Sequence, residues 1–111
     1  MPKPKLPRPT DAELEVLKVL WARGPSTVRQ VHQIINQTKP TAPNTVLTFL
    51  QIMTVKGLVV RDVSQRPQVY RATVPERRAQ RELLDDLLER VFGGSVQKMV
   101  AAMTGRKISI E

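Results

Sequence analysis

The chain has 111 residues, 41% hydrophobic and 25% charged, with 18 Lys and Arg against 10 Asp and Glu, one His and no Cys, giving a net charge of +8. That length holds one compact domain with a small appendage, and the lack of cysteine excludes disulfides, thiolate catalysis and thiolate metal sites. No apolar run approaches the roughly 18 residues of a membrane span, and the basic start MPKPKLPRPT has no apolar segment of a secretory signal, which fits a cytoplasmic protein.

The charge is unevenly placed. Residues 1–74 carry eleven Lys and Arg against four Asp and Glu, and residues 75–111 carry seven against six. Such an asymmetry implies a polyanionic partner for the first two-thirds, with nucleic acid leading, and a different task for the rest.

Residues 1–9 alternate Pro with Lys and Arg and predict a flexible basic arm. In TDAELEVLKVLWARG, Thr10 and Glu13 form a capping box. Leu14, Leu17, Leu20 and Trp21 follow at helical spacing, and Gly24-Pro25 ends the helix. Ser26 is placed to cap a second helix, TVRQVHQIINQ, with Val28, Val31, Ile34 and Ile35 inward, and TKPTAP breaks it. Pro43 suits the first position of a third helix, which runs to about Lys56 and closes at Gly57.

LVVRDV and QVYRATV, separated by the polar SQRP, read as a hairpin with one face buried, Val60 alternating with Arg61, and Val69 with Tyr70. Pro75 opens a fourth helix, ERRAQRELLDDLLERVF, broken by Gly93-Gly94, and Ser95 can cap a short fifth helix. The predicted class is therefore mainly α with a small β hairpin (α+β). Three helices plus a two-stranded wing is the winged form of helix-turn-helix. We expect a flexible basic arm over 1–9, a winged-helix DNA-binding domain over 10–74 and a helical dimerisation region over 75–111.

At 100° per residue, Val46, Phe49, Leu50 and Met53 gather on the core side of the third helix, and Asn44, Thr48 and Gln51 on the opposite side with Thr45 at its edge. The second helix of a helix-turn-helix places its N-terminal residues against base edges in the major groove. Asn pairs bidentately with adenine, and Thr offers a hydroxyl or a methyl. Base contact is expected from Asn44, Thr45, Leu47 and Thr48, the alternative being ordinary solvated helix residues for the polar three and peripheral core for Leu47. Phosphate contact is expected from Lys3, Lys5 and Arg8 in the arm, Arg29, Lys39, Pro43 at the helix start, and Arg66 at the wing tip. Ile52 and Val55 also point outward and are assigned to contact with another helix or a second subunit.

His32 stands without a cysteine or carboxylate to make a metal or catalytic site, Trp21 reads as a core anchor, and Tyr70 as packed under the wing. Paired carboxylates, a nucleophile–base pair and a phosphate loop are all missing in suitable context, so neither an enzyme nor a cofactor is expected.

The last two helices carry Leu83, Leu84, Leu87, Leu88, Val91, Phe92, Val96, Met99, Val100 and Met103, stripes too large for two short helices to bury between themselves. A symmetric homodimer is the commonest way to cover them, and would set two reading helices on two half-sites. The reading is a homodimeric repressor on a dyad-symmetric operator. Its alternative is a winged-helix protein-interaction module that docks an acidic partner.

TDAELEVLKVLWARGPSTVRQVH, APNTVLTFLQIMTVKGLV, QVYRATV and GGSVQKMVAAM together resemble the penicillinase-repressor family of bacterial winged-helix transcriptional regulators (BlaI/MecI/CopY type), over about residues 9–104. The resemblance implies a dimeric repressor of a dyad-symmetric operator, many members of which control β-lactam-resistance genes and answer to a membrane sensor metalloprotease. It places Pro43, Asn44, Thr45 and Thr48 at the start of the DNA-reading helix, Arg66 in the wing, and Leu83 to Met103 in the dimerisation region. Copper-responsive members use cysteines near the C-terminus, and this chain has none. Where protease-responsive members are cut at an Asn-Phe bond, this chain reads Ala102-Met103, and the tail TGRKISIE stands where the family usually has a final helix.

Overall fold

The structure, a computed structural model, describes residues 8–105. Its elements run α1 (Asp11–Arg23), α2 (Val28–Thr38), α3 (Pro43–Lys56), β1 (Val59–Asp62), β2 (Val69–Ala72), α4 (Glu76–Phe92) and α5 (Val96–Thr104). This is the expected order, three helices, a hairpin and two helices. The chain divides into two compact units, one ending at Arg78 and the other beginning at Ala79.

In the first unit α1 starts with the expected capping box. The Glu13 N–H donates to Thr10 Oγ1 at 3.2 Å, and the Thr10 N–H to Glu13 Oε1 at 2.9 Å. This helix packs against α2, α3 and β2. Surrounded in that way, it buries a broad stripe of Val16, Leu17, Val19 and Leu20 rather than a narrow row, and Leu14 is only half-buried. Trp21 packs on the edge of this core and donates its indole N–H to the Val74 carbonyl at 2.9 Å.

The cap of α2 is Thr27, not Ser26. Thr27 Oγ1 accepts from the Gln30 N–H at 3.1 Å, and Gln30 Oε1 accepts from the Thr27 N–H at 2.9 Å. Ser26 is fully buried and is used otherwise. Its backbone exchanges hydrogen bonds with Tyr70 at 2.9 and 2.8 Å, a one-residue addition to the sheet. The Ser26 hydroxyl is engaged away from the helix, donating to the Gly24 carbonyl at 2.8 Å and accepting from Arg23 Nε at 3.0 Å, so the cap falls one place on. Val31 is buried, and Ile34, Ile35 and Val28 pack around the core.

Pro43 is the first residue of α3, where its missing N–H costs nothing. Gly57 ends that helix with φ 83°, a left-handed conformation that suits glycine. Val46, Leu50 and Met53 are buried, with Phe49 against them. Each such aliphatic side chain contributes roughly 1.5–3 kcal/mol.

The hairpin is antiparallel, with Val59 opposite Ala72, Val60 opposite Arg71, Arg61 opposite Tyr70 and Asp62 opposite Val69. Residues directly opposite share a face. Val59 and Tyr70 are buried on one face, so Tyr70 does pack under the wing, and Val60 lies with Arg71 on the outer one.

In the second unit, Gly93 and Gly94 separate α4 from α5, and Ser95 Oγ caps α5 by accepting from the Lys98 N–H at 3.1 Å. Ala79 is the one buried residue of α4, and α5 has none.

Candidate nucleic-acid interface

The turn between α2 and α3 decides where α3 begins, and it is held by side chains. His32 Nε2 lies 2.7 Å from the Thr41 carbonyl, which can only accept, so Nε2 carries the proton and donates. The Thr41 N–H donates to Asn36 Oδ1 at 2.9 Å, and its hydroxyl donates to the Lys39 carbonyl at 2.7 Å. The turn is thus fastened to α2 at two points, His32 and Asn36, and closed on itself by a third bond, just ahead of Pro43.

From that start α3 presents Asn44, Thr45, Thr48 and Gln51, all exposed, opposite its buried row. Leu47 is half-buried. Thr48 donates its hydroxyl proton back to the Asn44 carbonyl at 2.9 Å. Its methyl and its oxygen lone pairs are what remain for a partner. Pro43 has no N–H, so it can meet a phosphate only through carbon. Further along the same face lie Ile52 and Val55, 44% and 89% exposed.

Arg8, Arg29, Lys39 and Arg66 are all exposed. Lys3 and Lys5, together with most of the expected arm, lie outside the described residues. Arg66 sits in the turn between β1 and β2, whose entry is shaped by Asp62. The Asp62 carboxylate accepts from the Ser64 N–H at 2.9 Å, from its hydroxyl at 2.6 Å and from the Gln65 amide at 3.4 Å. The Ser64 hydroxyl first, then its amide, holds the Asp62 carboxyl below the usual range.

The far end of α3 is anchored too. Lys56 Nζ donates to Glu13 Oε1 at 2.7 Å. Burial pushes the Glu13 carboxyl up, but the bonds from Lys56 and Thr10, with the lysine's charge, together bring it below its ordinary value.

Sequence reasoning put Gln51 on the exposed face without assigning it a contact, and passed over His32, Asn36 and the Glu13–Lys56 pair. Gln51 carries the same periodicity signal as Asn44. The other three act through partners that local patterns do not reveal. Among the described residues no group of three His, Asp or Glu is arranged to hold a metal.

A sequence profile described as penicillinase repressor matches residues 9–111. The chain is 29% identical over 96 residues to the penicillinase repressor of Bacillus licheniformis, covering 86% of this chain and 75% of that one. It is 40% identical over 67 residues to the transcriptional regulator BlaI of Mycobacterium tuberculosis, covering 60% of this chain and about half, 49%, of that one. Among solved structures, the monomeric form of Bacillus licheniformis BlaI in complex with the blaP half-operator matches with a TM-score of 0.58 at 32% identity, covering 65% of this chain and 88% of that one.

Proposed function

The chain belongs to the penicillinase repressor family, and from that premise we propose that it is a homodimeric repressor that reads a dyad-symmetric operator with α3. The family is one of transcriptional repressors, not of enzymes. One observation carries the reading: α3 buries Val46, Leu50 and Met53 and offers Asn44, Thr45, Thr48 and Gln51 on its other side. Small polar side chains on an exposed helix start fit base edges in a major groove. Asn44 is suited to adenine, Thr45 and Thr48 to a hydroxyl or methyl contact, and Leu47 to a thymine methyl. Arg29, Lys39 and Arg66 supply charge to the phosphates, with Arg8, Lys3 and Lys5 following along the arm.

The second unit gives the dimer. Leu84, Leu87, Val91, Val96, Val100 and Met103 are exposed, and Leu83, Leu88, Phe92 and Met99 are half-buried. Exposed apolar side chains along both helices call for a cover, and a second copy of the same helices is the natural one. No helix of the described residues is long and apolar enough to cross a membrane, and we assign the protein to the bacterial cytoplasm, where its operator is. β-Lactam-resistance genes are the targets that the family suggests. A membrane sensor protease is the releasing partner that many members suggest, although the place of their Asn-Phe bond reads Ala102-Met103 here.

Fluorescence anisotropy on the DNA upstream of the protein's own gene, at several salt concentrations and against a scrambled duplex, tests the reading. A preference above about 10³-fold with two protomers per site supports it. Equal weak binding to both duplexes overturns it and favours a winged-helix module that docks an acidic protein.

A further inference from the structure

Three elements meet at one polar junction. Thr10, where the arm joins α1, donates its N–H to Glu13 Oε1 at 2.9 Å. The same oxygen accepts from Lys56 Nζ at 2.7 Å, in the last turn of α3. The next residue, Gly57, gives its carbonyl to the Thr73 hydroxyl at 2.7 Å, and Thr73 directly follows β2. The Thr73 N–H continues the chain of bonds to the Leu58 carbonyl at 3.0 Å. The root of the arm, the end of α3 and the return strand of the wing are therefore tied in series.

The Glu13 residue is 3% exposed. Burying a carboxylate carries a desolvation cost that its partner about offsets, and an apolar pair would hold α1 on α3 at least as strongly. What the ion pair adds is direction. A 2.7 Å bond between a helix start and a helix end admits one register, whereas aliphatic contact tolerates sliding.

We propose that Glu13 and Lys56 are positioning residues for DNA recognition: their bond sets how α3 is presented relative to the arm and the wing. This rests on the repressor reading above. The pair acts on DNA through α3, the Lys56 ammonium being bound to Glu13 at 2.7 Å.

The test uses a duplex that the wild-type protein selects from a random pool, with a scrambled duplex beside it, on the full chain. Glu13→Gln keeps the shape and the capping bond but removes the charge. Affinity for the selected duplex should fall roughly tenfold, the scale of misreading one base pair. Affinity for the scrambled duplex should hold or rise, because the Lys56 charge is no longer neutralised. Lys56→Gln, on a side chain 30% exposed, should lower the ratio likewise with scrambled binding unchanged, and serves if Glu13→Gln does not fold. Lys56→Arg should restore the ratio, since a guanidinium still donates to the buried carboxylate.

An unchanged ratio in both glutamine variants overturns the proposal. So does a parallel fall on both duplexes together with a lower Tm, which would make the pair a packing element. If the wild-type protein selects no duplex, the repressor reading falls first and takes this inference with it.

Discussion

His32 donates to the carbonyl of Thr41 across the turn between α2 and α3, at 2.7 Å and nine residues apart. The imidazole braces the turn that leads into α3. Removing it leaves a partly buried carbonyl without its donor, a loss of about 1–3 kcal/mol. His32→Ala should therefore lower the Tm by several degrees. It should weaken operator binding more than scrambled-duplex binding, because the turn loosens beside Asn44. Calorimetry and paired anisotropy titrations check this, and an unchanged operator affinity would remove His32 from the positioning set.

The Glu13 carboxylate gives a pH dependence whose sign follows from its environment. Its folded-state pKa lies below the ordinary 4.5, since the bonds from Lys56 and Thr10 outweigh burial. A depressed carboxyl contributes stability that is present above the unfolded-state pKa and lost as pH falls through the folded-state value. The Tm difference between the wild-type protein and Glu13→Gln should be full at pH 7 and shrink steadily below about pH 4.5. A gap that stays constant down to pH 3 would show that the carboxylate's charge contributes nothing.

How much of this is legible in the sequence depends on the distance between partners. The capping box of Thr10 and Glu13 spans four residues and reads directly. Pro43 and Gly57 mark both ends of α3, and the 3.6-residue period of Val46, Leu50 and Met53 places its faces. Lys56 lies 43 residues from Glu13, and no local pattern announces their bond. Ser26 reads as a helix cap because it is a serine before a periodic run. Its use in the sheet depends on Tyr70, which local rules do not reach. The outward turn of Val60 is a matter of register, fixed only once Val59 is drawn into the core.

The exposed row on α4 makes a sharp test of the assembly. Leu87 is 45% exposed and Val91 63% exposed. Leu87→Glu puts a charge on that row and should leave the first unit folded. If a second copy covers the row, sedimentation should show a shift from dimer to monomer. Operator affinity should fall by about 10²-fold or more, because the two half-sites lose their linkage. A variant that sediments like the wild-type protein would place the interface elsewhere.

Thr48 and Arg66 separate reading from holding. Thr48 donates its own proton to the Asn44 carbonyl at 2.9 Å, so toward DNA its oxygen acts as an acceptor, suited to a base amino group. Thr48→Val keeps the methyl and the shape but loses that acceptor. It should cost roughly tenfold on the operator and nothing on a scrambled duplex. Arg66, exposed in the wing turn, should behave in the opposite way. Arg66→Ala should weaken binding to both duplexes alike and reduce the salt slope by about one unit, as expected for one lost phosphate contact. If Thr48→Val binds the operator as tightly as the wild-type protein, the methyl is the reading group. An unchanged slope for Arg66→Ala would take the wing tip out of the phosphate set.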